Sequence, residues 1–186
     1  MIYVTSDLHF GHDRQFIFQP RGFDNIQDHD KALIERWNSV VKDEDVVYIL
    51  GDLMLKDNQH GIECLSQLKG HKYFVTGNHD TDTRIPLYID EQTANIAWCG
   101  DATRLKYNGY HFYLSHYPTL TSNLEKETLK QMTLNLFGHT HQKTNFYEDR
   151  PYMYHVGVDS HNCYPVSIDQ IIEDMKDKVN ECKDML

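Results

Sequence analysis

The chain has 186 residues, of which 40% are hydrophobic and 12% aromatic, and 28 acidic against 18 basic residues give a formal net charge of −10 at pH 7. This length suits one well-cored domain, which we expect to span residues 1–186, and the composition excludes a disordered chain. The charge excludes a surface built for long-range attraction to nucleic acid or an anionic membrane, so an anionic ligand must be held locally.

Targeting signals and cysteine motifs are absent from the sequence. The segment MIYVTSDLHF lacks the basic region and apolar run of a signal peptide, and no run of about 18 apolar residues follows. We therefore expect a cytoplasmic protein without a membrane partner. The four cysteines form no CxxC pair, which argues against a disulfide framework and against a cysteine zinc site.

Six short runs rich in β-branched and aromatic residues predict strands. In chain order they are IYVTS from Ile2, DVVYIL from Asp45, KYFVTG from Lys72, HFYLS from His111, LNLFG from Leu134 and MYHVGV from Met153. Residues 10–27, 81–95 and 117–128 lack a periodic pattern and are predicted as loops.

Apolar residues at helical spacing predict three helices. Residues 28–42 place Leu33, Trp37 and Val41 on one face, and residues 61–70 repeat the pattern and end on glycine. The last helix begins with a capping box at Ser167 and Gln170, and its apolar stripe runs on to Leu186.

The order of these elements predicts an α/β fold. Strands that alternate with helices indicate largely parallel pairing in the first half of the chain. Asn108-Gly109, between ATRLKY and YHFYLS, is a strong hairpin signal, so antiparallel strands are expected in the middle. We predict two mixed β-sheets sandwiched between helical layers.

Candidate metal ligands follow five of the six predicted strands. They are Asp7 and His9, then Asp52, then Asn78, His79 and Asp80, then His116, and finally His139 and His141. Taken singly, each is more often a turn or hydrogen-bonding residue. Taken together, they are expected to meet, because the carboxyl ends of neighbouring strands converge on one edge of an α/β sheet.

A pocket that collects carboxylates and imidazoles needs cations to neutralise it. Oxygen and imidazole ligands without thiolate suit Mn²⁺, Fe, Zn²⁺, Ni²⁺ or Co²⁺ better than Ca²⁺ or Mg²⁺. Without His79 and Asp80, seven candidate ligands remain: Asp7, His9, Asp52, Asn78, His116, His139 and His141. Seven exceed what one open tetrahedral ion requires, whereas two ions that share a carboxylate would use them all.

In this order, the motifs resemble those of the calcineurin-like metallophosphoesterases. The likeness covers residues 5–141 and rests on Asp7-x-His9, Gly51-Asp52, Gly77-Asn78-His79-Asp80, His116 and Gly138-His139-Thr140-His141. The resemblance implies two sheets flanked by helices and a pair of divalent ions, with Mn²⁺ favoured. It implies that Asp7, His9 and His141 hold one ion. It assigns Asn78, His116 and His139 to the other ion and makes Asp52 the bridge.

The resemblance also implies a reaction. A hydroxide activated by two ions about 3.5–4 Å apart would attack phosphorus. Asp52 and His79 would be the catalytic residues, and Asn78 and His79 would contact the substrate. His79 would orient the phosphate, stabilise its charge or protonate the leaving oxygen. The expected substrate is a phosphate ester, with phosphodiesters of small or nucleotide-like molecules favoured.

One departure narrows the substrate class. Relatives that act on phosphoproteins carry a second Asp three residues after the bridging one, followed by Arg-Gly, whereas Leu55, Lys56 and Asp57 stand at these positions here. A Ser/Thr protein phosphatase is therefore not expected, and the carboxylate that would orient His79 is unidentified.

Residues outside the shared motifs offer weaker predictions. His12 lies three residues after His9 and could bind phosphate or make a plain loop hydrogen bond. Arg21 could fork onto a phosphate or form a surface salt bridge, and Arg84 presents the same alternatives.

Three other functions stay open. A nuclease acting on DNA or RNA ends is compatible with the motifs, although the net charge does not favour nucleic acid. A non-catalytic protein-binding scaffold would be expected to lose ligands or His79, and here every motif position is filled. A single-ion zinc hydrolase fits less well, because no HExxH helix is present.

Overall fold

The structure, a computed structural model, describes residues 1–184 and contains strands and helices in alternation. The strands are β1 (Ile2–Thr5), β2 (Val46–Leu50), β3 (His71–Val75), β4 (Ala97–Trp98), β5 (Ala102–Tyr107), β6 (Tyr110–Ser115), β7 (Thr133–Phe137), β8 (Met153–His155) and β9 (Val166–Ser167). The helices are α1 (Gln15–Phe18), α2 (Ile26–Val40), α3 (Asn58–Ser66), α4 (Ile85–Ile89) and α5 (Ile168–Asp184). None of the helices in this range is long and apolar enough to cross a membrane.

The first sheet has the strand order β4-β3-β2-β1-β9. Strands β1 to β4 pair in parallel, as predicted for the first half of the chain, and β9 pairs antiparallel with β1. The edge strands β4 and β9 were not predicted, because two residues are too few to show a period.

The second sheet has the order β5-β6-β7-β8. The predicted hairpin is confirmed, with Tyr107 paired to Tyr110 across the turn. Asn108 and Gly109 have φ angles of 48° and 83°, as the tight two-residue hairpin turn requires. Strands β6, β7 and β8 pair in parallel. The predicted fold class, two mixed sheets with helices, is confirmed.

Two apolar clusters hold the layers together. One lies between a face of the first sheet and helices α2 to α4 and includes the fully buried Trp37, whose Nε1 donates to the Lys69 carbonyl at 3.0 Å. The other joins the opposite face of that sheet, the second sheet and α5. Each buried Leu or Ile stabilises the fold by about 1.5–3 kcal/mol relative to exposure.

Side-chain caps mark the beginning of α3 and α5. Helix α3 starts at Asn58, earlier than predicted, because the Asp57 carboxylate accepts a hydrogen bond from the His60 amide at 3.0 Å. Only half of the predicted capping box forms at α5. Ser167 Oγ accepts from the Gln170 amide, but the Gln170 side chain donates to Asp174. Leu186, the last residue of the predicted stripe, lies outside the described residues.

Two of the predicted loops were partly wrong. Residues 10–27 contain α1 and a single turn of 3₁₀ helix, and residues 81–95 contain α4. These helices have only four and five residues, which is too short for an apolar period to show in the sequence.

Candidate metal centre

Parallel strands deliver the candidate ligands to one edge of the molecule. Asp7 and His9 follow β1, Asp52 follows β2, and Asn78 follows β3 in the first sheet. In the second sheet, His116 directly follows β6, and His139 and His141 follow β7. The structure brings all seven of these side chains into one cluster, as the sequence predicted from the convergence of strand ends.

The cluster has two halves on either side of Asp52. Oδ2 of Asp52 lies 3.6 Å from Nε2 of His9 and 3.6 Å from Nε2 of His116. On the His9 side, Nε2 of His141 lies 3.2 Å from Nε2 of His9 and 3.9 Å from Oδ1 of Asp7. One carboxylate oxygen is therefore equidistant from two histidines that belong to different groups.

Asn78 organises the other half. Its Oδ1 lies 2.9 Å from Nε2 of His116 and 2.9 Å from Nδ1 of His139. Three possible metal-ligating atoms, from three different strand ends, thus lie close together beside Asp52.

Strained backbone marks the same residues. Five of the seven candidate ligands have φ angles between 48° and 68°: Asp7, His9, Asp52, His139 and His141. A left-handed backbone costs a residue with a Cβ about 1–2 kcal/mol. Such strain persists at functional sites, where the surrounding structure enforces it. Here the positive φ angles direct the side chains toward the cluster soon after each strand ends.

Two glycines allow the strand ends to approach closely. A Cβ atom at Gly138 would overlap Ser6 Oγ and lie 2.5 Å from Asp7 Oδ2. A Cβ atom at Gly77 would overlap Asp52 Oδ1. The glycines of the third and fifth motifs are therefore required by the packing of neighbouring loops around the two carboxylates.

The hydrogen-bond partners of the histidines decide whether the cluster fits cations. Nδ1 of His116 lies 2.8 Å from the Leu50 carbonyl, and Nδ1 of His141 lies 2.8 Å from an Asp159 carboxylate oxygen. These oxygens only accept, so both Nδ1 atoms carry the proton and both Nε2 atoms present lone pairs to the cluster. Lone pairs that face other acceptors at 2.9–3.6 Å fit divalent cations.

Burial favours the uncharged forms of His9 and Asp52. Burial, reinforced by Arg21 and His141, holds the pKa of His9 well below its usual range. Burial raises the pKa of Asp52 to about 6, although His116 acts in the opposite direction. A neutral His9 imidazole can ligate a cation, and a bound cation would stabilise the ionised form of Asp52.

The comparison with protein families decides the classification. The sequence model of the calcineurin-like phosphoesterase superfamily domain matches residues 1–161. The chain belongs to this superfamily. Membership identifies it as a metallophosphoesterase and supports hydrolase activity, in agreement with the resemblance of the five motifs.

Relatives of this phosphoesterase come from several organisms. It is 34% identical over 184 residues to an uncharacterized protein of Methanocaldococcus jannaschii, aligned over 92% of this chain and 89% of that protein. It is 30% identical over 207 residues to the Gene 66 protein of Mycobacterium phage D29, aligned over 100% of this chain and 98% of that protein. A solved protein of unknown function from Aquifex aeolicus is similar in fold, with a TM-score of 0.67 and 23% identity, covering 93% of this chain and 98% of that chain.

The Arg21 side chain is buried in this phosphoesterase beside the candidate ligands, with its Nη2 3.3 Å from Nδ1 of His141, which corrects both predictions made for it. Its Nε and Nη2 donate to the two Asp159 carboxylate oxygens at 3.0 and 2.8 Å, and Nη2 also donates to the Asp7 carbonyl at 2.9 Å. The two side chains are 0% and 4% exposed. Arg21 is therefore a structural residue, and neither a surface salt bridge nor a fork for phosphate.

Asp159 is the functional residue that sequence reasoning missed. Its carboxylate holds the Nδ1–H of His141, and this hydrogen bond with the charge of Asp7 raises the pKa of His141 although burial acts to lower it. Carboxylates in this position fix the orientation of metal-ligating histidines. The signal was present, because Gly157-Val158-Asp159 follows β8 much as Gly51-Asp52 follows β2.

Asp80, predicted as a possible ligand, supports the backbone instead. Its Oδ2 accepts hydrogen bonds from the amides of Asp52 at 2.7 Å and Gly77 at 2.9 Å. Tyr88 also donates to Oδ1 at 2.9 Å. With both oxygens occupied in this way, Asp80 fixes the loops that follow β2 and β3.

His79 and His12 lie next to the cluster. The ring centroid of His79 is 5.5 Å from that of His9, and the ring centroid of His12 is also 5.5 Å from that of His9. Among the described side chains of residues 1–182, none forms a hydrogen bond with the His79 imidazole, so the orienting carboxylate is not found there. Arg84 acts on the same loop, since its Nη1 donates to the His79 carbonyl at 2.7 Å.

Proposed function

We propose that this protein is a hydrolase of phosphate esters that uses two divalent ions on either side of Asp52. The observation that carries the proposal is the position of Asp52 Oδ2, 3.6 Å from both His9 Nε2 and His116 Nε2. A carboxylate oxygen between two histidine lone pairs suits a bridge between two cations. Membership of the calcineurin-like phosphoesterase superfamily supports the reaction class.

We assign the ligands by their nearest neighbours. Asp7, His9 and His141 would hold one ion, and Asn78, His116 and His139 would hold the other. Mn²⁺ is the proposed metal, with Fe, Zn²⁺, Ni²⁺ and Co²⁺ as alternatives, because the donors are oxygens and imidazoles without thiolate. Bound there, the two cations would supply Lewis acidity, which lowers the pKa of an attacking water molecule and offsets charge on the phosphate.

The chain's own residues would orient the substrate and move its proton. The His79 amide donates to Asp52 Oδ1 at 2.9 Å, which fixes the loop and leaves Oδ2 directed at the cluster. The His79 imidazole is then positioned to donate a hydrogen bond to the phosphate or a proton to the leaving oxygen, which is worth roughly 10²–10⁴-fold in rate. His12 lies beside it as a further proposed phosphate contact; its side chain is buried, and among the described residues 1–182 its Nδ1 has no hydrogen-bond partner.

Two exposed aromatic rings support a nucleotide-like diester as substrate. Phe16 is 69% exposed, and its ring centroid lies 5.7 Å from that of His12, beyond the His9 half of the cluster. Tyr117 is 50% exposed, and its ring centroid lies 4.7 Å from that of His139 in the other half. A phosphodiester bound at the centre would present one group to each ring. Stacking of a base on such a ring is worth about 1–3 kcal/mol.

Three small substrates with the same leaving group test this proposal. They are methyl 4-nitrophenyl phosphate, thymidine 5′-(4-nitrophenyl phosphate) and the monoester 4-nitrophenyl phosphate, each assayed with Mn²⁺-loaded protein. We expect turnover of both diesters, a higher kcat/KM for the thymidine diester, and a loss of that preference in Phe16→Ala or Tyr117→Ala. Absence of turnover with all three would contradict the hydrolase, whereas equal kcat/KM for the diesters would contradict only the nucleotide-like substrate.

A pair of variants separates the metal centre from general effects of charge. Asp52→Asn removes the bridging charge and is expected to lower kcat by at least about 10³-fold, since the activity needs both ions. Asp82→Asn makes the same chemical change at an exposed position of the loop after β3 and should leave kcat unchanged. Retained activity in Asp52→Asn would refute the bridge. A scaffold would be favoured by a different result: the native chain shows no hydrolase activity, and Asp52→Asn still binds a protein partner.

A second candidate, a nuclease acting on DNA or RNA ends, is favoured by one cavity. It measures about 600 Å³ on the second sheet and is lined by Arg104, Lys106 and His111, with residues 119–122 forming another wall. These residues offer local positive charge in an acidic protein, and Tyr117 lies just before that wall. If a nucleic-acid strand occupies this cavity, truncation of the Arg104 and Lys106 side chains should lower kcat/KM for a short oligonucleotide but not for the thymidine diester. An equal effect on both substrates would exclude this route.

A further inference from the structure

Three side chains of different chemistry converge between α2 and α3, away from the candidate metal centre. One donor atom from each of Asp30, His60 and Cys64 lies within 4.8 Å of the other two. Nε2 of His60 lies 2.8 Å from Oδ2 of Asp30 and 3.5 Å from Sγ of Cys64. His60 and Cys64 are four residues apart on α3, so they share one face, and that face meets Asp30 of α2.

Hydrogen bonding links His60 to Asp30 but leaves the Cys64 sulfur out of the network. Nε2 of His60 carries at most one proton, but it approaches both a carboxylate oxygen and a sulfur atom. If Nε2 donates to Asp30, the imidazole and the carboxylate are satisfied, and the Cys64 sulfur makes only a van der Waals contact with Nε2. If the thiol donates to Nε2, the nitrogen and Asp30 Oδ2 face each other at 2.8 Å without a proton. A cation would satisfy all three lone pairs at once.

One of the two separations matches that of a tetrahedral site, and the other is shorter. Zinc–ligand bonds of about 2.0–2.3 Å place neighbouring nitrogen and sulfur ligands roughly 3.6 Å apart, and nitrogen and oxygen ligands roughly 3.4 Å apart. The observed separations are 3.5 Å and 2.8 Å. A shift of well under 1 Å in the partly exposed His60 side chain would lengthen the nitrogen–oxygen distance to the tetrahedral value.

Surrounding residues hold the carboxylate in place. Oδ1 of Asp30 lies 2.7 Å from Nδ1 of His29, and Oδ2 accepts a hydrogen bond from the Gly11 amide at 2.9 Å. Nε2 of His29 in turn lies 2.9 Å from the Arg21 guanidinium. Metal-ligating carboxylates are commonly fixed by outer hydrogen bonds of this kind.

The cluster also has an entrance. Asp30, His60 and Cys64 line a cavity of about 370 Å³ between α2 and α3, together with Gln27, Glu35 and Gln67. The His60 side chain is 38% exposed, whereas that of Asp30 is 2% exposed. A fourth ligand position would face this cavity and admit water.

We propose that Asp30, His60 and Cys64 bind one zinc-class divalent cation at a site separate from the candidate metal centre. Thiolate selects zinc or cobalt over manganese, so this site differs in preference from the oxygen and imidazole cluster. Binding displaces the Cys64 thiol proton to solvent, and the sulfur lone pair forms the new bond to the metal. No sequence motif indicates this site, because its ligands come from two helices and form no CxxC pair.

Cobalt(II) provides a specific probe, because only this site contains sulfur among the proposed ligands. The full-length protein is stripped with chelator and titrated with Co²⁺ while the near-ultraviolet thiolate-to-cobalt charge-transfer band is recorded. At saturation we expect a band whose intensity corresponds to one thiolate-bound Co²⁺ per chain, with Cys64→Ala abolishing it and the matched Cys99→Ala retaining it. Absence of the band in the native protein, or its persistence in Cys64→Ala, would overturn the proposal.

His60→Ala provides a second variant in case Cys64→Ala does not fold, because His60 is partly exposed. Mass spectrometry under native conditions should count one zinc fewer in His60→Ala than in the native protein, with an unchanged circular dichroism spectrum. An identical zinc count in the two proteins would contradict the site. This outcome is independent of hydrolase activity.

Discussion

The buried pair of Arg21 and Asp159 allows a quantitative test of how the candidate centre is supported. Asp159 accepts two hydrogen bonds from the Arg21 guanidinium and holds Nδ1 of His141 at 2.8 Å. Asp159→Ala leaves a fully buried guanidinium without its partner. It also removes the group that orients His141.

The expected loss of stability follows from that burial. Removing one partner of a buried ion pair costs about 3–5 kcal/mol, because the remaining charge is desolvated and unpaired. For a chain of this length, that corresponds to roughly 6–20 °C in Tm. By contrast, Asp149 is an exposed partner of Lys178, so Asp149→Ala should cost at most about 1 kcal/mol.

The assay is urea unfolding of metal-free protein, so that metal binding does not contribute to the free energy of unfolding. A double-mutant cycle with Arg21→Met and Asp159→Leu isolates the pair. The double variant should be more stable than the sum of the single effects predicts by about 2–3 kcal/mol. It should still bind Mn²⁺ about 10–100-fold more weakly than the native protein, because His141 remains without its carboxylate.

Two results would refute this reasoning. If the single effects of Arg21→Met and Asp159→Leu add within about 0.5 kcal/mol, the pair is not energetically coupled. If the double variant binds Mn²⁺ as tightly as the native protein, Asp159 does not position His141.

Three further substitutions test the packing. Gly138→Ala places a Cβ 2.5 Å from Asp7 Oδ2 and should abolish Mn²⁺ binding in calorimetry, whereas Gly100→Ala, with no atom within 4 Å, should retain it. Leu134→Ala, at a fully buried position of β7, should lower the free energy of unfolding by about 2–5 kcal/mol, measured in urea; a loss below about 1 kcal/mol would contradict the assigned burial. Gly109→Ala should cost about 1–2 kcal/mol in the same assay, because its φ is 83°, and an unchanged midpoint would contradict the turn.

Much of the candidate centre could be predicted because strand direction alone brings its residues together. Asp7, Asp52 and His116 each follow a run whose β-branched and aromatic residues are recognisable locally. Parallel pairing then places the ends of these strands at the same edge. The apolar period of α2 also depends only on local spacing. For this reason the sequence predicted the long elements and the ligand cluster.

The roles of Arg21 and Asp159 could not be predicted in the same way. Whether an arginine reaches solvent or a buried carboxylate depends on a contact between residues 138 positions apart. Asp159 follows a strand of only three residues, so its resemblance to the other strand ends was easy to miss. Likewise, the convergence of Asp30 with Cys64 depends on the packing of two helices, which local spacing does not encode.

The most direct test of the paired-cation site is a crystal of the protein grown with Mn²⁺ and measured for anomalous scattering. The proposed arrangement predicts two manganese peaks about 3.5–4 Å apart, one on each side of Asp52 Oδ2. A single peak, or peaks that do not contact Asp52, would contradict it.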